Sequence, residues 1–188
     1  MNSSTKFLDL FNQIKRSGTK CLQEHLYENG YFTCPSSSQY HGSKESGNFE
    51  HSINVTEVML KLAPQLAPGI SKESLIICGL FHDLGKANYF DKPNYVPNIL
   101  KSGKLSDSKP YETNKNRLPI PHQIASVHIL SKHIDLTEEE TYAILYHNGL
   151  YTSDGYVIKG NETPLLMLLH FSDMWASRVI ETTINEVV

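Results

Sequence analysis

Apolar side chains recur at helical spacing along most of the chain. Phe7 and Leu10 begin such a stripe over residues 7–26. A second stripe over residues 46–62 is expected to end before Pro64, because proline disrupts the interior of a helix. No stretch of useful length alternates between apolar and polar residues, as a half-buried strand would. The pattern predicts a fold that is mostly or wholly α-helical.

Residues that typically begin helices mark four further starts. They are Ser71, Pro121, Thr137 with Glu140 as a capping box, and Thr163 with Pro164. The helix that begins at Ser71 is expected to run through Leu80. Two long segments between the helices, residues 27–48 and 88–119, show no periodicity. Long loops of this kind in a compact domain are often functional.

The composition is typical of one globular domain. Of the 188 residues, 39% are hydrophobic and 20% are charged, so residues 1–188 are predicted to form a single domain with an N-terminal helix within residues 1–30. The chain has neither an apolar run long enough to span a membrane nor the apolar core of a signal peptide. We therefore expect a soluble, cytoplasmic protein without a membrane partner. The three widely spaced cysteines suggest neither a disulfide framework nor a thiolate zinc site.

The charge is unevenly distributed. The net charge is -3, yet residues 86–117 contain seven basic and three acidic residues. A basic segment on an acidic body suggests a local anionic ligand, although a solvated loop with spare lysines fits as well. Residues 88–119 are accordingly predicted to form a basic loop or lid.

Three histidines lie on the apolar faces of predicted helices: His51, His122 and His147. Asp173 interrupts the apolar run of the last helix, and His82 with Asp83 follows the apolar run LIICGLF. Burying an ionised carboxylate is costly without a cation, and imidazole and carboxylate groups from separate helices are typical ligands of a divalent transition metal. Taken singly, each histidine also fits a hydrogen-bonded core residue, and Asp173 fits a helix cap. Together they predict a metal site.

The order of these residues resembles the signature of a known family. His51, the pair His82-Asp83 and Asp173 look like the H...HD...D motif of the HD-domain metal-dependent phosphohydrolases. His122 and His147 match the longer motif of two-metal members. The stretches FTCPSSSQYHGSKESGNFEHSINV, HDLGK, LPIPHQIASV, ILYHNG and LLHFSDMWA are similar to the HD module of YhaM-type bacterial exoribonucleases and to stand-alone HD hydrolases of Firmicutes and prophages. The resemblance implies an all-α HD-domain helical bundle, with its core over residues 32–180.

The same resemblance implies one or two divalent transition metal ions as cofactors, with Mn, Fe, Co, Ni and Zn as candidates. It assigns one ion to His51, His82, Asp83 and Asp173, and a second ion to Asp83, His122 and His147. Asp83 is then the residue that bridges both ions and is required for catalysis. The ions would lower the pKa of bound water from about 15.7 to about 7 and so supply a nucleophile.

Substrate contacts are expected from three further residues. Lys86 follows Asp83 by one turn and is predicted to act in catalysis by binding a phosphate oxygen, the alternative being a solvated lysine at a helix end. His41 and Arg117 are additional candidates for substrate binding. His170 fits either an orienting role near Asp173 or simple packing.

The favoured function is a metal-dependent phosphohydrolase that acts on a nucleotide or a short nucleic-acid end. YhaM-type enzymes carry an additional OB domain, for which this chain has no room, so a short substrate is expected. Two alternatives remain open from the sequence: a mixed-valent di-iron oxygenase built on the HD fold, and a non-catalytic nucleotide-binding sensor. A homodimer is compatible with the sequence.

Overall fold

The computed structural model describes residues 2–182, and within them the chain forms seven α-helices and one two-stranded antiparallel sheet. The elements are α1 (Ser3–Phe11), α2 (Thr19–Glu28), α3 (Gly47–Leu66), α4 (Lys72–Phe81), β1 (Tyr95–Pro97), β2 (Tyr111–Thr113), α5 (His122–Leu130), α6 (Glu138–Tyr146) and α7 (Pro164–Trp175). Short 3-10 turns follow α4 and α6, and a π-helical turn, Ala176–Ile180, continues α7. The predicted helical fold class is confirmed, with one small two-stranded sheet beside the helices.

The long helix α3 lies at the centre of the fold. It packs along α4 and α7, while α6 packs on α7 and α5 packs on the turn that follows α4. The core between them is apolar and fully buried at Met59, Ile76, Ile77, Leu166 and Leu169. This arrangement brings the C-terminal ends of α4 and α6 close to the N-terminal half of α3. Of the described residues, none belongs to a helix long and apolar enough to cross a membrane.

The N-terminal segment contains two helices where one was expected. The helices α1 and α2 are separated by a turn at Gly18, whose φ is 85°. A Cβ at this position would lie 1.8 Å from the carbonyl oxygen of His133. The backbone at residue 18 therefore approaches the backbone at His133 more closely than any residue other than glycine would allow. Helical periodicity alone does not reveal this break, because Phe7 of α1 and Leu22 of α2 are both buried.

Several predicted helix boundaries are confirmed, and one is wrong. Ser71 begins α4, with its Oγ accepting from the backbone N–H of Ser74 at 3.0 Å, and Thr163 begins α7 in the same manner. Pro121 immediately precedes α5. Pro64 does not end α3, which continues to Leu66. Since Pro64 lies in the last turn, it removes only one backbone hydrogen bond and the helix tolerates it.

An ion pair between Arg16 and Glu140 joins the N-terminal segment to α6. The Glu140 carboxylate is completely buried and accepts from Nη1 and Nη2 of Arg16 at 2.6 and 2.5 Å. It also accepts from the backbone N–H of Thr137 at 2.8 Å, which confirms the predicted capping box. Arg16 donates in addition to the carbonyl of Asp135 at 2.6 Å. Glu140 is therefore both a cap and the buried partner of a distant arginine.

The two aperiodic segments differ in structure. The segment that follows α2 is irregular but held in place, because Tyr31 donates to the carbonyl of Leu80 at 2.7 Å. A turn within it rests on Gly42, whose φ is 59°, and a Cβ on Gly47 would lie 2.0 Å from the Gly42 carbonyl oxygen. Residues 88–119, expected to be irregular, contain the hairpin of β1 and β2.

Candidate metal centre

The six predicted metal ligands converge on one point of the fold. They come from five places: His51 on α3, His82 and Asp83 at the end of α4, His122 at the start of α5, His147 at the end of α6 and Asp173 on α7. Asp83 lies between the others. Its Oδ1 is 3.1 Å from Nε2 of His122 and 3.6 Å from Nε2 of His147. Its Oδ2 is 3.5 Å from Nε2 of His82 and 3.9 Å from Nε2 of His51.

The ligand atoms divide into sets small enough to surround an ion. In each set the atoms lie within 4.8 Å of one another: His51, His82 and Asp83; Asp83, His122 and His147; and His82, His147 and Asp173. Asp83 belongs to two of these sets, one for each of its oxygens. That arrangement is what a carboxylate bridging two ions requires.

Backbone carbonyls orient two of the histidines. Nδ1 of His82 lies 3.0 Å from the carbonyl oxygen of Gly79, and Nδ1 of His147 lies 2.8 Å from that of Ile144. A carbonyl only accepts, so Nδ1 carries the proton in both rings and Nε2 is left as the free lone pair. Each ring follows the last residue of its helix, α4 or α6, and turns Nε2 toward Asp83.

The chemistry of these atoms fits a metal ion. Nε2 of His51, Nε2 of His82 and Oδ1 of Asp83 are all buried, and each lacks a hydrogen-bond partner within residues 2–182. Nε2 of His51 lies 3.0 Å from Oδ1 of Asp173, and Oδ1 of Asp83 lies 3.1 Å from Nε2 of His122, but neither approach has the direction of a hydrogen bond. Leaving three buried polar atoms unsatisfied is costly, whereas a divalent cation would satisfy all of them. The residues present therefore fit one or two divalent ions.

Charge and burial give Asp83 and His82 the protonation states that metal ligands need, an ionised carboxylate and a neutral ring. Burial alone would raise the pKa of Asp83, but Lys86, His82 and His122 hold it well below its usual range. Lys86 contributes directly, since its Nζ lies 2.6 Å from Oδ2 of Asp83. Burial lowers the pKa of His82 to about 4, so its ring is neutral at physiological pH. Burial would also lower the pKa of His51, but the adjacent carboxylates of Asp173 and Glu181 raise it to about 10. At physiological pH this ring therefore carries a proton on each nitrogen, and binding of an ion would have to release the proton on Nε2.

A family model described as "HD domain" matches residues 48–173, which is more than half of the chain and includes all six converging residues. The chain belongs to the HD-domain family. HD-domain proteins are mostly metal-dependent hydrolases that bind divalent metals. Comparison with curated proteins and with solved structures gave no match. The likeness to YhaM-type enzymes stays a prediction.

A cleft of about 470 Å³ opens onto the centre of this HD domain. Asp83, His147 and Asp173 line its floor, and Lys86 and Arg178 add positive charge to its walls. His41, predicted to contact substrate, also lines the cleft, with its ring 5.0 Å from that of His51.

Among the described residues, none of the 88–119 segment lines this cleft. Within residues 2–182 the cleft is lined by residues from 40–41, 83–86, 147–151 and 170–178. The lid at residues 88–119 stays a prediction. The substrate contact at Arg117 stays a prediction; its guanidinium donates to the carbonyls of Gly85 at 2.7 Å and Ala87 at 3.1 Å. Arg117 therefore braces the turn that follows Asp83.

Two further contacts at the centre involve Glu181, which was not predicted, and His170, whose role was left open. Glu181 was missed: its Oε1 lies 2.9 Å from Nδ1 of His51 and accepts from Nδ2 of Asn54 at 3.0 Å. The only sequence signal is one more acidic residue within the last predicted helix. His170, for which an orienting role was one alternative, donates from Nδ1 to the carbonyl of His147 at 2.7 Å. It supports the backbone at a ligand and does not contact Asp173 through this nitrogen.

Proposed function

We propose that this HD-domain protein is a metal-dependent phosphohydrolase that cleaves a phosphoester of a nucleotide or of a short nucleic-acid end. The observation that carries the proposal is the cleft itself. It combines a floor of metal-ligating groups with two cationic side chains, Lys86 and Arg178, and with exposed aromatic rings. Metal ligands alone fit many hydrolytic reactions, whereas this combination suits a phosphate group attached to an aromatic base.

The metal ions, when bound, would supply a nucleophilic water at neutral pH and stabilise negative charge on the phosphoryl oxygens. The chain itself contributes orientation and charge. Asp83 stays ionised because of its cationic neighbours and presents one oxygen to each side of the centre. The ammonium of Lys86 is at the cleft wall, where it can pair with a non-bridging phosphate oxygen as a point charge.

The cleft dimensions support a small substrate. A volume of about 470 Å³ lies within the range of roughly 300 to 1,000 Å³ that holds small ligands. Tyr40 and Tyr151 line the same cleft and are 69% and 72% exposed, so their rings are free to stack on a base. Base stacking on aromatic side chains tolerates any base, so the proposal specifies a nucleotide without a preferred base.

The test is a metal and substrate panel. Protein stripped with a chelator would be assayed with added Mn, Fe, Co, Ni or Zn against a generic phosphodiester, a phosphomonoester, nucleoside triphosphates and short oligonucleotides. We expect hydrolysis that requires metal, that is lost in Asp83→Asn, and that is unchanged in the matched control Asp9→Asn on α1, an exposed residue.

Three outcomes would contradict the proposal. Equal turnover without metal would exclude the mechanism. Oxygen consumption by the iron-loaded protein without phosphate release would identify the oxygenase alternative. Tight nucleotide binding without turnover under any metal would identify a sensor.

A further inference from the structure

The buried ligand histidines use their Nδ1 atoms in different ways. His82 and His147 donate to backbone carbonyls of their own helices, which are neutral acceptors. His51 instead faces the Glu181 carboxylate, with Nδ1 at 2.9 Å from Oε1 and 3.2 Å from Oε2. Among these three rings, His51 alone has a charged partner. The two sides of the centre are therefore not equivalent.

The Glu181 carboxylate is built into this position. Its side chain is only 12% exposed. Asn54, three residues after His51 and so on the same face of α3, donates to Oε1 at 3.0 Å. One oxygen is thus shared between two donors from a single helix, which leaves the carboxylate little freedom to turn away from the ring.

A change of helical register brings Glu181 to α3. After α7 the chain continues as the π-helical turn Ala176–Ile180, and the N–H of Glu181 bonds to the carbonyl of Ala176, five residues earlier, at 3.0 Å. A regular α-helix would bond four residues back and present residue 181 in a different direction. Asp173 on α7 and Glu181 after the turn consequently approach the same ring from its two nitrogens.

We propose that Glu181 is a positioning residue for the metal centre: it holds the Nδ1 proton of His51 and aims Nε2 at the ion on the side of Asp173. The proposal rests on the metal site of the proposed function and deepens it. A carboxylate acceptor fixes the tautomer and the orientation of a ligand imidazole and makes it a stronger base. The ion held by His51 is thereby bound more tightly than it would be with a backbone acceptor.

The geometry also allows Glu181 to be a metal ligand itself, and the experiment must distinguish this role from a positioning role. Ligand atoms of His41, His51 and Glu181 also lie within 4.8 Å of one another. If Glu181 were itself a ligand there, its replacement would remove an ion. As a positioning residue, it changes the affinity of an ion without changing the number of ions bound.

The experiment measures metal binding directly. The affinity and stoichiometry of Mn²⁺ would be determined by calorimetry on the chelator-stripped full chain, for wild type, Glu181→Gln, Glu181→Leu and Glu181→Asp. Loss of such an outer partner typically costs about 10- to 100-fold in metal affinity. We expect about 10-fold for Glu181→Gln, whose amide oxygen still accepts, about 100-fold for Glu181→Leu, and recovery toward wild type in Glu181→Asp. Glu57→Gln, on the same helix but paired with Lys6, is the matched control and should bind like wild type.

A spectroscopic readout checks the tautomer independently of activity. In the Zn²⁺-loaded protein, the ¹⁵N shift of His51 Nδ1 should report a protonated nitrogen in wild type and should move in Glu181→Leu. Wild-type affinity and an unmoved His51 signal in Glu181→Leu would overturn the inference, and so would loss of one bound ion in Glu181→Gln. A wild-type protein that binds no metal would instead refute the proposed function, so the two failures are distinguishable.

Discussion

Replacement of Arg16 by methionine tests whether the N-terminal segment is part of the stable core. The substitution keeps a long apolar stem and removes the guanidinium that pairs with Glu140. Removing one member of a buried ion pair typically costs about 3 to 5 kcal/mol, because it leaves an uncompensated buried charge. The low end applies here, since Arg16 is 16% exposed and Glu140 keeps the N–H of Thr137.

The expected loss at pH 7 is about 3 kcal/mol in the free energy of unfolding. For a chain of 150 to 250 residues, this corresponds to a fall of roughly 6 to 12 °C in Tm. Urea unfolding followed by far-UV circular dichroism measures the difference. Lys6→Met, which breaks the half-exposed pair with Glu57, is the control and should cost about 0 to 1 kcal/mol.

The pH dependence gives a second check. Burial would raise the pKa of Glu140, but hydrogen bonds from Arg16 and Thr137 lower it below its usual value. A carboxyl with a depressed pKa contributes stability above its unfolded pKa, about 4.3, and that contribution is lost as the pH falls through the folded value. In Arg16→Met the depression is relieved, so the gap between variant and wild type should narrow as the pH falls below about 4.3. A gap under 1 kcal/mol at pH 7, or one that does not change with pH, would refute the reasoning.

Three shorter predictions concern the cleft and the metal centre. Lys86→Met should lower the Tm of metal-free protein by more than that of metal-loaded protein, because metal replaces the lost charge beside Asp83; equal shifts in calorimetric scans would contradict this. Gly85→Ala should reduce the number of ions bound, since a Cβ there would lie 2.0 Å from the carbonyl oxygen of His122 and displace that ligand; unchanged metal content would count against it. Tyr151→Ala should raise KM for nucleotides about 10-fold, from a stacking energy of about 1 to 3 kcal/mol, but should leave KM for a base-free phosphodiester unchanged.

The candidate ligands of the centre could be predicted from sequence because each lies in a regular helix or at its end. Asp173, for example, interrupts an apolar face, and periodicity alone predicts that it points inward. Glu181 was missed because it follows a π-helical turn, and no simple repeat of apolar residues marks such a change of register. Glu140 was recognised only as a cap, because its partner Arg16 lies 124 residues away and local patterns carry no information on that contact.

Arg117 shows what composition leaves undecided. A basic residue in a basic segment suggested a substrate contact, yet its charge serves the carbonyls of Gly85 and Ala87. Composition predicts that cationic side chains are present, but it does not predict whether a ligand or the backbone accepts their hydrogen bonds. Similarly, the break at Gly18 depends on how closely the chain approaches His133, which is a tertiary contact.

The positions of His82 and His147 at the ends of α4 and α6 link metal binding to local unfolding. The last carbonyls of a helix lack partners within it, and here the ligand rings themselves donate to Gly79 and Ile144 in those final turns. Fraying of either helix end would therefore turn a ligand away, and a bound ion would oppose the fraying. Amide hydrogen exchange in the last turns of α4 and α6 should therefore slow when metal binds. Its rate at each residue would report metal occupancy without any knowledge of the substrate.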